Sequence, residues 1–170
     1  MGDKDARAKL WSLIRDIHIA TFITYDATGN LRSRPVATQQ SKFDGYLWFF
    51  TRLGSATELQ TAGEQTMNLS YTDPLTNRYV SLSGVAILVQ DKDKFKELWN
   101  PIYHGWFPLG FEDPNLKLIK IRVEAAEFWD SAQATMVPIT GSLEEAMDAP
   151  TNAPIKNQLF AATVNDAHPT

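Results

Sequence analysis

The 170-residue chain contains no cysteine. That excludes disulfides, thiolate metal sites and a cysteine nucleophile, and it fits a reducing compartment. No apolar run approaches the roughly 20 residues that cross a bilayer. Residues 1–20 also lack the continuous apolar segment of a secretory leader. The expectation is a soluble, cytoplasmic protein. Basic charge is scarce: 16 Lys and Arg stand against 20 Asp and Glu, a net charge of −4. Such a balance lacks the broad positive footprint of a nucleic-acid binder. Common catalytic signatures are missing as well. There is no Gly-x-Ser-x-Gly elbow and no Gly-x-Gly-x-x-Gly turn after a strand. The run Arg52-Leu-Gly-Ser-Ala-Thr57 lacks the Gly-Lys-Ser/Thr ending of a P-loop. His18, His104 and His168 have no metal-ligand spacing, so no metal is expected.

What is present is enough for one domain with a real core: 44% apolar residues and 5 tryptophans. Ala6, Leu10, Leu13, Ile14 and Ile17 repeat at helical spacing over residues 3–17, with Asp3 as a cap and Trp11 at the rim. Strand-forming runs follow at 18–26, 31–41, 46–51, 67–71, 78–90 and 116–129, with a further strand in 132–139. Helices are expected at 55–62, at 91–98 and after the capping box Ser142-Leu-Glu-Glu145. Glu144 and Glu145 read as solvated cap residues. Pro35 marks an edge strand or a place where the sheet opens. Gly84, inside a strand, marks a bend or a close approach by another backbone. The adjacent apolar pair Leu118-Ile119 breaks an alternation and predicts a bulge. The order of elements gives an α+β, mainly β fold: an antiparallel barrel of six to seven strands with flanking helices. Residues 1–140 form the domain, and 141–170 a short helix with an extended tail.

Residues 32–57 hold the chemistry. Arg32 and Arg34 lie two apart on a strand, so they share a face. Asp44-Gly45 makes a turn, and 46–51 is rich in aromatics. Ser55-Ala-Thr-Glu58 then has the form of a capping box. Arg32, Arg34, Lys42 and Arg52 stand there against one acid, Asp44, in an otherwise acidic chain. Arginines, hydroxyls and a helix start suit a phosphate, while a solvated strand edge carries the same charges with no ligand at all.

Four runs, in this order, resemble one family. They are Leu31-Arg-Ser-Arg-Pro-Val36, Gly45-Tyr-Leu-Trp-Phe-Phe-Thr51 with its Ser-led helix, Trp106-Phe-Pro-Leu-Gly-Phe-Glu-Asp-Pro114, and Ala126-Glu-Phe-Trp-Asp130. Together they resemble the FMN-binding split β-barrel proteins related to pyridoxamine 5′-phosphate oxidase, of the general stress protein 26 type. The resemblance implies a homodimer with FMN at the subunit interface and an unidentified small-molecule substrate. It implies that Arg34, Pro35 and Val36 line the flavin, with Arg34 also near the phosphate. Phe50 and Thr51 would end their strand against it. Ser55 and Thr57 would hold the phosphate, and Gln39 and Trp106 would meet the ring, with Trp129 as a further candidate. Relatives commonly carry a lysine two residues after the serine, where this chain has Thr57. The implied activity is flavin-dependent oxidoreduction. A flavin-sequestering stress protein without turnover, a deazaflavin-dependent reductase and a pyridoxamine phosphate oxidase are the alternatives on the same fold.

Overall fold

A computed structural model of the chain describes residues 3–38, 40–54 and 63–143. The expected helices at 55–62 and after Ser142, the tail, and Gln39, Ser55, Thr57 and His168 lie outside the described residues. Helix α1 spans Asp3–Ile14 and is followed by β1 (Ile19–Tyr25), β2 (Leu31–Ala37), β3 (Tyr46–Arg52), β4 (Glu64–Asp73) and β5 (Arg78–Val89). Helix α2 (Lys92–Leu98), two 3-10 turns (Pro101–Gly105 and Gly110–Glu112), β6 (Leu116–Asp130) and β7 (Thr135–Pro138) complete it.

The seven strands form one antiparallel sheet in the order β2-β1-β4-β5-β6-β3, with β7 added to β6. The sheet stays open between β2 and β3, as a split barrel requires. Asp44-Gly45 does turn the chain: Asp44 Oδ1 accepts the Tyr46 N–H at 3.2 Å, and Gly45 has φ +106°. The turn does not make a hairpin, because β3 pairs with the first half of β6 rather than with β2. Pro35 therefore sits on an edge strand, opposite Thr21 of β1.

Alternation places the core. Ala20 and Phe22 of β1, Val36 of β2, Leu47 and Phe49 of β3, and Ile119, Ile121 and Val123 of β6 all face inward. Ala6, Leu10 and Ile14 of α1 are fully buried against them, so the helix covers the barrel interior. A second cluster covers the other face of β3 and β6: Trp48, Leu116 and Leu118 pack with Phe95 and Leu98 of α2. Asp91 caps α2 by accepting the Lys94 N–H at 2.9 Å.

The two clusters explain why the bulge expected at Leu118-Ile119 is absent. Leu118 belongs to the outer cluster and Ile119 to the inner one, so an unbroken strand buries both. The register shift lies further along, between Ser83 and Gly84 of β5, where Glu124 of β6 is the extra residue.

At the seam a side chain does the work of a strand. Gln40 Oε1 accepts the Trp48 N–H at 3.0 Å, and Nε2 donates to the carbonyls of Tyr46 and Lys42, both at 2.8 Å. One amide thus satisfies backbone groups that β2 leaves unpaired. Gln40→Leu is expected to lower stability by about 2 kcal/mol, since it strands a donor and an acceptor of β3. The midpoint of urea denaturation measures it, and an unchanged midpoint would show that water replaces the amide without loss.

Candidate functional site

The seam is framed by the two free edges, and each presents candidate residues on the barrel side. Arg34 pairs with Phe22 in the β1–β2 ladder, so both side chains share a face. Its guanidinium carbon lies 5.8 Å from the Phe22 ring centroid, and Nη2 donates to Thr24 Oγ1 at 3.4 Å. Thr24 is 1% exposed and Arg34 is half-buried, so this cation is held partly inside the barrel mouth. Val36, on the same face, is core; Pro35 points the other way and is exposed. Arg32 is drawn off to the turn. Its Nε donates to Asp26 Oδ2 at 2.8 Å, while Asp26 Oδ1 accepts from the Thr28 hydroxyl and the Thr28 and Asn30 N–H groups. The Thr28 hydroxyl first, then Arg32, hold the Asp26 carboxyl well below the usual carboxylate range. Arg32 thus belongs to the β1–β2 turn, not to the arginine pair expected from sequence.

On the opposite edge, Thr51 shares the barrel face with Phe49 and is half-buried. Phe50 points outward into an aromatic cluster. Its ring centroid is 5.9 Å from Phe95, 5.7 Å from both Trp99 and Tyr103, and 6.1 Å from Phe107. With its ring so occupied, Phe50 offers the barrel mouth its backbone.

The tryptophan loop is tied to the end of β3 by Arg52, one of the four basic residues of the 32–57 stretch. Arg52 Nη2 donates to the Trp106 carbonyl at 2.7 Å, and its guanidinium carbon lies 5.5 Å from the Phe107 ring centroid. Arg52 is therefore committed to the loop. Trp106 stacks on Tyr103, with centroids 6.2 Å apart and planes within 10°. The indole is still 63% exposed, and Ile102 and Leu109 beside it are exposed too. Among the described residues nothing covers this apolar ledge. Trp129 lies far along β6, paired with Met136 of β7. His104 packs edge-on against Trp99 at 5.2 Å and meets Gly110, so it is a loop-packing histidine. Among the described residues no group of His, Asp or Glu is arranged to hold a metal, and no helix is long and apolar enough to cross a membrane.

Arg34, Val36 and Thr51 are thus brought to one face at the two sides of the seam, whereas Trp106 stands apart on the loop. Two cavities lie elsewhere, and neither is lined by any of these residues.

Comparison with known proteins agrees with this architecture. A family model described as pyridoxamine 5′-phosphate oxidase like matches residues 5–151. Protein bli-3 of Neurospora crassa is 28% identical over 110 residues, 59% of this chain and 53% of that protein. The chain thus spans about half the length of this curated relative. A general stress protein 26-related protein from Clostridium acetobutylicum superposes with TM-score 0.66 at 16% identity, covering 81% of this chain and 96% of that one. The general stress FMN/FAD binding protein of Xanthomonas citri gives TM-score 0.64 at 21% identity, covering 89% of this chain and 99% of that one. A match across most of the sequence, joined to an open antiparallel barrel of the same shape, establishes that the chain belongs to the pyridoxamine 5′-phosphate oxidase-like family.

Proposed function

We propose that the protein binds FMN in the seam, as a homodimer with each flavin between two subunits, and acts as a cytoplasmic flavin-dependent oxidoreductase. The observation that carries this reading is Arg34. It is a half-buried cation on the barrel side of an edge strand, resting on Phe22 and Thr24. Guanidinium is planar and presents paired N–H donors, which match phosphate oxygens. Thr51 across the seam adds a hydroxyl, and the Phe50–Thr51 backbone ends a strand there. The apolar ledge of Trp106 and its neighbours, uncovered among the described residues, supports an intersubunit site that a second subunit would bury. The likeness to a stress protein named for FMN/FAD binding supports the same cofactor.

The described residues bring Val36 and Thr51 to the ring side and Arg34 to the phosphate side, and the phosphate end is thin in charge. Thr57 stands where relatives carry a lysine, and Arg52 is occupied by the Trp106 carbonyl. A neutral hydroxyl gives a weaker bond to phosphate than an ammonium does, so retention of FMN through purification is expected to be partial. When bound, the flavin supplies the hydride and electron chemistry, and the chain's part is to hold it and to leave one ring face open.

FMN titration tests the reading. The flavin absorbance should shift and its fluorescence should quench with saturation, and light scattering should give a dimer. Failure to bind FMN at tens of micromolar would overturn it. Reduction of the bound flavin by NADH or NADPH, then reoxidation by an added acceptor, separates an enzyme from a flavin store.

A further inference from the structure

The outward face of β1, β2, β4 and β5 carries no charge. Alternation turns every second residue of 19–25, 31–37, 66–72 and 79–85, counted from the first, away from the core, and none of these is Asp, Glu, Lys or Arg. The four strands are neighbours, in the order β2-β1-β4-β5. A solvent surface with four positions on each of four strands would ordinarily carry about four charged side chains. Charge returns on the next strand, where Arg122, Glu124 and Glu127 of β6 are exposed.

Large apolar side chains stand out on the same face. Ile19, Tyr25, Leu31 and Tyr79 are 36% to 63% exposed. Leu31 lies opposite Tyr25 in the β1–β2 ladder, so these two form one apolar spot. Hydroxyls and an amide fill the middle. Thr21 pairs with Ser70 and Ser70 with Ser81, while Asn68 Nδ2 donates to Ser81 Oγ at 2.9 Å. Among the described residues no helix covers this face: α1 packs on the barrel interior, and α2 on β3 and the first part of β6.

We infer that this face is a self-association surface, which docks on the same face of a second copy of the chain about a two-fold axis. A two-fold contact requires a patch to complement itself. A patch of one charge sign cannot do so, whereas an uncharged one can. Ser, Thr and Asn side chains both donate and accept, so they can pair with their own kind. The size fits as well. Strand spacing and rise give a plan of roughly 19 by 23 Å. Side-chain relief brings the accessible area to the order of the 800 Å² per partner that stable dimers bury. Nucleic acid and anionic membrane are poorer occupants, because the face offers no cation. The face also borders the seam. Pro35 of β2 points outward and Arg34 toward the barrel, so a subunit docked there stands beside the edge that holds Arg34. The inference rests on the homodimer of the proposed function but not on its flavin.

Light scattering and sedimentation velocity on the full-length, flavin-free protein test it. Thr21 and Ser70 lie at the centre of the face, where the axis of a two-fold contact passes, so a charge placed there meets its own copy. The wild type should be a dimer at micromolar concentration. Thr21→Lys and Thr21→Glu should each weaken dimerisation by at least about 100-fold, the scale of like charges brought together. Thr21 is exposed, so both variants should keep the wild-type circular dichroism. An equimolar mixture of the two should recover a mixed dimer, which misfolded variants could not form. Ser12→Lys, on the exposed side of α1, should leave the dimer intact. A monomeric wild type, undiminished dimerisation of both Thr21 variants, or the absence of a mixed dimer would overturn the inference. If Trp106→Lys dissociates the dimer and Thr21→Lys does not, the second copy sits on the loop ledge, which overturns this surface and leaves the homodimer standing. Dissociation of Thr21→Lys with unchanged FMN affinity supports the surface and removes the flavin from between the subunits.

Discussion

Arg34→Ala is expected to weaken FMN binding by roughly 10- to 100-fold, the equivalent of about 1.5–3 kcal/mol for a hydrogen bond to a charged group. The size follows from where the cation sits. Arg34 lies on the barrel side of β2, half-buried over Phe22, so its field is less screened than that of a surface lysine. Lys42, by contrast, is exposed in the turn at the other end of the seam, and Lys42→Ala should change FMN affinity by less than about twofold. Arg34→Lys should fall between the two, because an ammonium keeps the charge but loses the planar pair of donors. Fluorescence titration of the three variants reads all of this. The fold should survive, since Arg34 is a half-buried residue of an edge strand and not part of the buried core. Matching urea midpoints would confirm that the loss is in the site. Equal losses for Arg34→Ala and Lys42→Ala would remove Arg34 from the phosphate.

The strands were legible because alternation and β-branched runs report burial directly. β4 is longer than its apolar centre, reaching Glu64 and Asp73, because the ladder to β5 continues through polar outward residues. Two features were hidden for a physical reason. Leu118-Ile119 looked irregular only under the assumption of one buried face, and β6 is buried on both. The sealing of the seam by Gln40 leaves no periodic trace, since one side chain bonds backbone atoms up to eight residues away. In the site, spacing placed Arg32 and Arg34 on one face correctly. It did not show that Asp26 would claim Arg32, or that the Trp106 carbonyl would claim Arg52. Competition between partners decides such cases, and it depends on distances that only the fold sets. Gly84 is the opposite case: the glycine inside a strand pointed to a close backbone approach, and the approach is there.

Gly84→Ala is expected to be the most damaging single-methyl change in the chain, at about 3 kcal/mol. A Cβ at Gly84 would overlap the Arg122 carbonyl oxygen and stand 3.1 Å from the Arg122 carbonyl carbon and 3.2 Å from Val123 Cα. All three are backbone atoms, so no side chain can swing away. Neither strand is free to retreat. β5 is held on its far side by β4, where Gly84 faces Met67, and β6 is held by β3 through Arg122. The clash falls at the register shift beside Glu124, where the strands already deviate most from a regular ladder. Gly29 provides the contrast. It sits in the β1–β2 turn with φ +82° and nothing within 4 Å of an added Cβ, so Gly29→Ala costs only the backbone strain, about 1 kcal/mol. For a chain of this size the Tm should fall by roughly 6–12 °C in Gly84→Ala, against roughly 2–4 °C in Gly29→Ala. Both are measured on flavin-free protein, so that bound ligand does not mask the loss. Equal shifts would mean that β5 and β6 can separate at the bulge without penalty, and that the close approach at Gly84 is not needed to hold the barrel's longest strand in register.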